Sequence, residues 1–498
     1  SAEIPDWDAL KVACAITRFE AAPLDLPRLF REDADRVGGA LRVAVLQEIA
    51  VDSSDAAAVL DVDGGSTVYL RVVAPGAAWL RLVFDDWSHD AVARVIVFDP
   101  ARPERSPQTI EGSPGPDGAL WSSIFFTNEV VVGVHSFPPD SSLHRVRMSR
   151  IVAGYRGFNA EWTERERSGI EAGDPVSCHT DASCITDPPQ VDSDAVATWI
   201  VCSGGECTEC SGTLINRAGC GAEECPNDNA RLFLTAASCN ATANNLHTVV
   251  VVFDYATESC DGAPPDFSTL PQARAEALLV NDAAHDVALL GIGSEIFANM
   301  PVQPVNNIST SYWASPVFLD SDGYMYHHPL GSYRRYLPLM KGGTLDNQRL
   351  RQTDNTCVEA NGYSIVCLNT GGGPGSFGAP IFRAADNRVA SVFSCEYFQA
   401  GCGALYQSSG GRIDLAEPLL RPFIEPVNPV YVNWQYSGYQ RGTISQPLRQ
   451  LGRASFALAG EGGEIRVAGG SHGTGRVYLG RPCVVRLIAA GQSAVMGQ

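Results

Sequence analysis

The apolar positions of this chain fall in short, partly alternating strings. "LRVAVLQEIAV", "STVYLRVVA", "AWLRLVF", "ARVIVFD" and "EVVVGVHSF" are rich in β-branched residues and are broken by Gly, Pro and Asp at short intervals. A period of two sends alternate side chains to opposite faces of a strand, and closely spaced turn residues join such strands into antiparallel sheets. The pattern predicts a β-sandwich or jelly roll over residues 30–155, preceded by a partly helical arm. From about Gly157 to Val176 the chain turns polar, with "ERERSGIEAGDP", which reads as a linker. A second β-rich region runs from Ser177 to about Ile424, and Pro-rich "EPVNP" marks the next boundary. Beyond Val430, "GTISQPLRQLGRASFALAGEGGEIRVAGGSHGTGRVYLGRP" has the pattern of a short helix followed by Gly-punctuated strands, like the first rung of a right-handed parallel β-helix. A rung buries its faces only against neighbours, so this tail either packs on the preceding domain or leaves a β surface open. The expected architecture is mostly β and multidomain: a sandwich over 1–157, a linker over 158–176, a β domain over 177–425 and a small β module over 426–498.

Composition narrows the class. At 498 residues the chain exceeds one ordinary core. No apolar run approaches the roughly eighteen residues a membrane span needs, and no signal peptide stands at Ser1, so export would imply a leader already removed. A formal net charge of −20 argues against nucleic acid or an anionic membrane as partner, since both require clustered Lys and Arg. Fifteen cysteines, crowded between Cys178 and Cys402 with close pairs such as Cys220/Cys225 and Cys357/Cys367, point to disulfides in an oxidising compartment, secreted or at the cell surface. Zinc is a poor alternative, because "CSGGECTEC" lacks a matching second pair of ligands. The odd count leaves at least one thiol unpaired or bonded between chains, and Cys14 and Cys483 stand isolated in sequence. "DVDGG" at Asp61 and "DSDG" at Asp320 lack the remaining calcium ligands and read as turns. No metal or cofactor is expected.

Four motifs make the second region specific. "CSGTLIN" at Cys210, "LFLTAASC" ending at Cys239, "HDVALLGI" at His285 and "GPGSFGAPIF" at Gly373 follow the order and spacing of trypsin-fold serine proteases. The chain most resembles their bacterial lysyl endopeptidase-like branch, through the paired Cys178 and Cys184, the strand "VVVVFDYATESC" and the turn His327-His328-Pro329. The resemblance implies two six-stranded antiparallel barrels with a cleft between them. It further implies disulfides Cys210–Cys239 and Cys184–Cys260, with Cys178 bonded to Cys395 or Cys402, and a propeptide-like role for the first sandwich.

Carried over position by position, the resemblance places the base at Ser238, the carboxylate at Asp286 and the nucleophile at Phe377, with Gly375, Ser376 and Phe377 as the former oxyanion-hole turn. Acyl transfer in this fold needs a serine activated by an imidazole whose tautomer a buried carboxylate fixes. Serine cannot take up a proton near neutral pH, and a benzyl group has no lone pair to attack a carbonyl. Rebuilding the triad from neighbours is disfavoured. Ser376 is one step round a tight turn from the nucleophile position, His285 points away from Asp286 if both lie on a strand, and His327 and His328 read as surface or turn residues. The lysine-selecting position aligns loosely with Ala400, which could not anchor an ammonium. Phe377 is expected to fill the volume of the missing imidazole, and Ser238 to donate a hydrogen bond to Asp286.

These residues lead to the expectation of a secreted serine-protease homologue that is not an enzyme and acts as a binding or scaffolding protein, its partner a protein or further copies of itself. A structural subunit of an extracellular assembly is the alternative, and a hydrolase with a rearranged site the third reading.

Overall fold

The computed structural model describes residues 16–34, 40–55, 59–62, 65–87, 92–103, 108–110, 114–136, 146–158, 179–185, 193–215, 231–263, 265–293, 323–345, 362–367, 372–384, 387–396, 406–425, 429–437, 440, 443, 445, 447–458, 463–471, 483–488 and 494–495. The first unit contains β1 (Thr17–Glu20), α1 (Leu26–Ala34), β2 (Leu41–Asp52), β3 (Val59–Val62), β4 (Gly65–Val73), β5 (Trp79–Phe84), β6 (Asp86–Trp87), β7 (Val92–Phe98), β8 (Gln108–Ile110), β9 (Leu120–Trp121), β10 (Glu129–Ser136) and β11 (Val146–Gly154). One sheet has the order β1-β4-β10-β7-β8 with β3 beside β4, and the other runs β2-β11-β5-β9 with β6 beside β11.

Strand β5 shows why the run "WLRLVF" is buried at every position. Leu80, Leu82 and Phe84 enter the core between the two sandwich sheets. Trp79 and Val83 point the opposite way, into a second apolar layer shared with Ile200, Val250 and Tyr255 of the following domain. A strand covered on both faces has no solvent side and loses its hydrophobic alternation.

The second region closes two barrels, as the resemblance implied. Strands β13 (Val196–Ser203), β14 (Glu206–Ile215), β15 (Leu232–Thr235), β16 (Val250–Val252), β17 (Gln272–Asp282) and β18 (Val287–Ile292) pair in the ring β13-β16-β17-β18-β15-β14, closed by β13 on β14. After β12 (Thr180–Asp181), which adds to β20, the strands β19 (Gly323–His327), β20 (Arg335–Leu345), β21 (Gly362–Cys367), β22 (Pro380–Arg383), β23 (Val389–Glu396) and β24 (Tyr406–Arg412) form the ring β20-β19-β22-β23-β24-β21. Cys184–Cys260 and Cys210–Cys239 are disulfides. A third, Cys202–Cys207, was not anticipated. Its signal lies within "CSGGEC": Gly204 and Gly205, at φ 62° and 91°, turn the β13–β14 hairpin in two residues and set Cys202 opposite Cys207.

The tail contributes α2 (Ile413–Ile424), β25 (Val430–Val432), α3 (Leu451–Ala457), β26 (Gly463–Val467), β27 (Gly470–Ser471), β28 (Cys483–Leu487) and β29 (Ala494–Val495). Strands β25, β26 and β28 are parallel, the pairing a β-helix rung requires. The module packs on the first barrel: Leu448, Phe456 and Ile465 share its core, and a Cβ at Gly291 would lie 2.6 Å from the Phe456 ring. Val484 and Leu487 remain exposed on β28, and Cys483 is a free thiol. No helix among the described residues is long and apolar enough to cross a membrane.

Candidate functional site

Strands β15 and β18 are neighbours in the first barrel, so the segments at their paired ends, after Thr235 and before Val287, meet. There the Asp286 carboxylate, fully buried, accepts the Ser238 N–H at 2.6 Å on Oδ1 and the Ser238 hydroxyl at 3.0 Å on Oδ2. The Ser394 hydroxyl of β23 donates to the same Oδ2 across from the second barrel. Burial pushes the Asp286 carboxyl above its ordinary value, and these donors pull it part of the way back. Sequence reasoning found Ser238 and Asp286 but missed Ser394, whose only mark is a hydroxyl in the apolar run "ASVFSC". Replacing Ser238 by alanine removes one donor from a buried carboxylate. The expected loss is about 1–2 kcal/mol, larger above the pKa of Asp286 than below it, and urea unfolding at two pH values measures it.

The turn carrying Phe377 is built on glycines that nothing larger could replace. Gly378, at φ 83°, would place a Cβ 2.1 Å from Thr235 Oγ1, and Gly375, at φ 91°, would place one 2.7 Å from the His328 carbonyl oxygen. Ser211 N–H donates to the Phe377 carbonyl at 2.8 Å, and Gly378 N–H to the Phe393 carbonyl at 2.7 Å. The Phe377 ring is only 3% exposed, part of the main core, and edge-on to Phe393 with centroids 5.9 Å apart. Such burial is what a packing role for this ring requires. Among the described residues the N–H groups of Gly375 and Phe377 meet no acceptor. Ser238 offers no basic nitrogen and Phe377 no lone pair.

A serine and an imidazole do meet one residue away. His327 Nδ1 lies 2.7 Å from Ser376 Oγ; that hydroxyl donates its one hydrogen to the Gly372 carbonyl and so accepts from the imidazole N–H. Both residues are fully buried. Burial holds the His327 imidazole neutral, helped by the His179 ring 4.9 Å away. His328 stacks parallel to Tyr255 at 5.6 Å, and burial drives its pKa down to about 3. The reading of His327 and His328 as surface or turn residues is corrected on burial. They lie at a strand end and turn, but that turn tucks beneath residues 373–378, a contact between distant segments that no local pattern carries. His285 is a partly exposed turn residue, 2.6 Å from Asp282.

Cys178, Cys220, Cys225, Cys357, Cys402, Ala400 and Cys14 lie outside the described residues, as do the side chains of Cys367 and Cys395, whose backbones lie in β21 and β23. Among the described residues Cys184, Cys260 and Asp261 form a cluster of metal-ligand types, but its two sulfurs are bonded to each other.

Three solved structures match the chain at low identity and low TM-score. The thermostable serine protease AL20 from an extremophilic microorganism matches at 15% identity and a TM-score of 0.30, over 44% of this chain and 92% of that one. The Rv3671c protease of M. tuberculosis in its active form matches at 16% identity and a TM-score of 0.32, over 51% and 90%. The protease Anisep of Arthrobacter nicotinovorans matches at 15% and 0.30, over 45% and 91%. No curated protein matches the chain. Residues 172–402 match the family described as lysyl endopeptidase, C-terminal domain. That match corrects the expectation of a chain that is not an enzyme: the family is enzymatic and points to a protease. The chain thus carries a serine-protease-like fold, and residues 172–402 are similar to the lysyl endopeptidase C-terminal domain.

Proposed function

We propose that residues 177–425 bind an extended polypeptide segment in the cleft between the two barrels, outside the cytoplasm. The observation that carries this reading is the match of residues 172–402 to an endopeptidase domain, whose substrates are polypeptides. Three disulfides among the described residues support an oxidising compartment. The N–H groups of Gly375 and Phe377, which meet no acceptor among the described residues, are donors suited to a peptide carbonyl. Binding is the step that recognition and hydrolysis share, so the proposal covers both a scaffold and a protease. Fluorescence anisotropy with labelled, unfolded casein tests it: a saturable rise reversed by unlabelled casein is expected, and a flat titration defeats the proposal.

A hydrolytic reading has its own observation, the 2.7 Å contact of Ser376 Oγ with His327 Nδ1. Here the 373–378 turn would open, the Ser376 hydroxyl would swing from the Gly372 carbonyl to His327, and the imidazole, in the tautomer with Nδ1 unprotonated, would take its proton as Ser376 Oγ attacks. Under this reading a fluorophosphonate probe labels Ser376, and Ser376→Ala abolishes the label. Labelling at another residue, or none, rejects it.

A further inference from the structure

We propose that the N-terminal sandwich is a permanent brace of the protease-fold unit, one that stays bound when the connecting segment is cut and holds the 373–378 turn in place. The first ground is a sheet that runs through the domain boundary. Strand β2 pairs antiparallel with β14, Val45 opposite Glu206 and Leu41 opposite Glu209, so one hydrogen-bonded surface passes from the sandwich into the first barrel. Leu46 N–H adds a bond to the Gly205 carbonyl at 2.9 Å. Undocking would strip these backbone groups and expose the edge of β2.

The second ground is what the joint buries. Trp79 and Trp121 of the first unit, and Phe158 just beyond its end, pack with Ile200, Val250 and Tyr255 of the second in one apolar layer. Arg81, with no exposure, reaches through this layer: its Nε donates to the Ser122 carbonyl at 3.0 Å and its Nη1 to the Thr248 carbonyl, in the barrel, at 2.7 Å. The Gln272 side chain of the barrel closes a reciprocal pair with the Ile124 backbone, at 2.9 and 3.0 Å. Separating the units would break the Arg81–Thr248 bond and both Gln272–Ile124 bonds and wet the apolar layer around them, a cost that a joint made to part would avoid.

The third ground links the joint to the candidate site. Gly157, at φ 64°, ends the sandwich against Gly331, at φ 78°, so closely that a Cβ on Gly331 would lie 3.2 Å from the Gly157 Cα. The neighbouring Leu330 N–H donates to the Pro374 carbonyl at 2.6 Å, and Ser211 Oγ donates to the Gly375 carbonyl at 2.8 Å while accepting the His328 N–H at 3.0 Å. Pushing on residue 157 therefore reaches residue 375 through two contacts.

The test uses the full chain with a specific protease site inserted between residues 159 and 178 and cut after folding. The two pieces are expected to co-elute on gel filtration in 1 M salt at the mass of the intact chain and to part only in denaturant. Two peaks in native buffer overturn the proposal. For the effect on the turn, hydrogen exchange is followed in a peptic peptide over 372–380. Phe158→Ala is expected to speed its exchange on the order of tenfold, with peptides from β7 and β10 unchanged. Unchanged exchange at 372–380 in a folded variant overturns the bracing role.

Discussion

Stability should fall as pH rises from about 5 to 8, and Glu209→Gln should remove most of that fall. Glu209 is fully buried on β14, and Thr198 donates to its Oε1 at 2.5 Å. Its Oε2 meets no donor among the described residues and faces the Gly157–Gly331 contact at the domain joint. Desolvation lifts the carboxyl from 4.5 to about 8, and the Thr198 hydrogen bond only partly opposes it. Between those values the folded chain keeps a proton that the unfolded chain has released, so unfolding is favoured increasingly as pH rises. At 1.36 kcal/mol per pH unit the effect is of order 5 kcal/mol, enough to consume a large part of an ordinary domain's stability. Glutamine copies the shape and donor of the neutral acid and cannot ionise. Urea unfolding of both proteins at several pH values measures the slope. A slope in the glutamine variant equal to that of the native chain would place the titrating group elsewhere.

Truncating Phe377 to alanine should cost about 3–5 kcal/mol, the usual range for emptying an aromatic site in a core that cannot collapse around it. The ring is buried with Phe393 as neighbour, and the turn beneath it is held by glycines and the Ser211 hydrogen bonds, so little relaxation is open to it. Denaturant midpoints give the number; a loss below about 1 kcal/mol would mean that the ring packs against nothing that matters. The pairing with position 238 is tested by combining Phe377→Ser with Ser238→His. If the two sites exchange volume, the double variant is more stable than the separate losses add up to, by about 1–2 kcal/mol of coupling. Strict additivity would show that the aromatic ring does not occupy the space an imidazole at 238 would need.

Much of this architecture was legible because it is local. Strand runs and glycine turns are properties of neighbouring residues, and they led to a sandwich, a second β-rich region and a parallel tail; the two barrels came through the resemblance that the four motifs carry. The disulfides Cys184–Cys260 and Cys210–Cys239 came through the resemblance. Cys202–Cys207 was overlooked although its cue, a Gly-Gly turn between two cysteines, is as local as any. Arg81 sat in plain view inside "AWLRLVF" but reads as an ordinary solvent-facing position when the strand is taken to have a wet side.

Sequence by itself determined which chemistry the positions 238, 286 and 377 can support, because side-chain identity sets whether a lone pair or a basic nitrogen exists at all. It also determined the β character of each region, since period-two patterning and turn residues act over a few positions. Only the tertiary structure decided that Ser394 joins Asp286, that His327 meets Ser376 in the buried interior, and that the sandwich and first barrel share a sheet. Each of those joins residues tens to over a hundred positions apart. Their meeting depends on how whole sheets close and stack, which is a balance of burial across the molecule and leaves no trace in any short window of the chain.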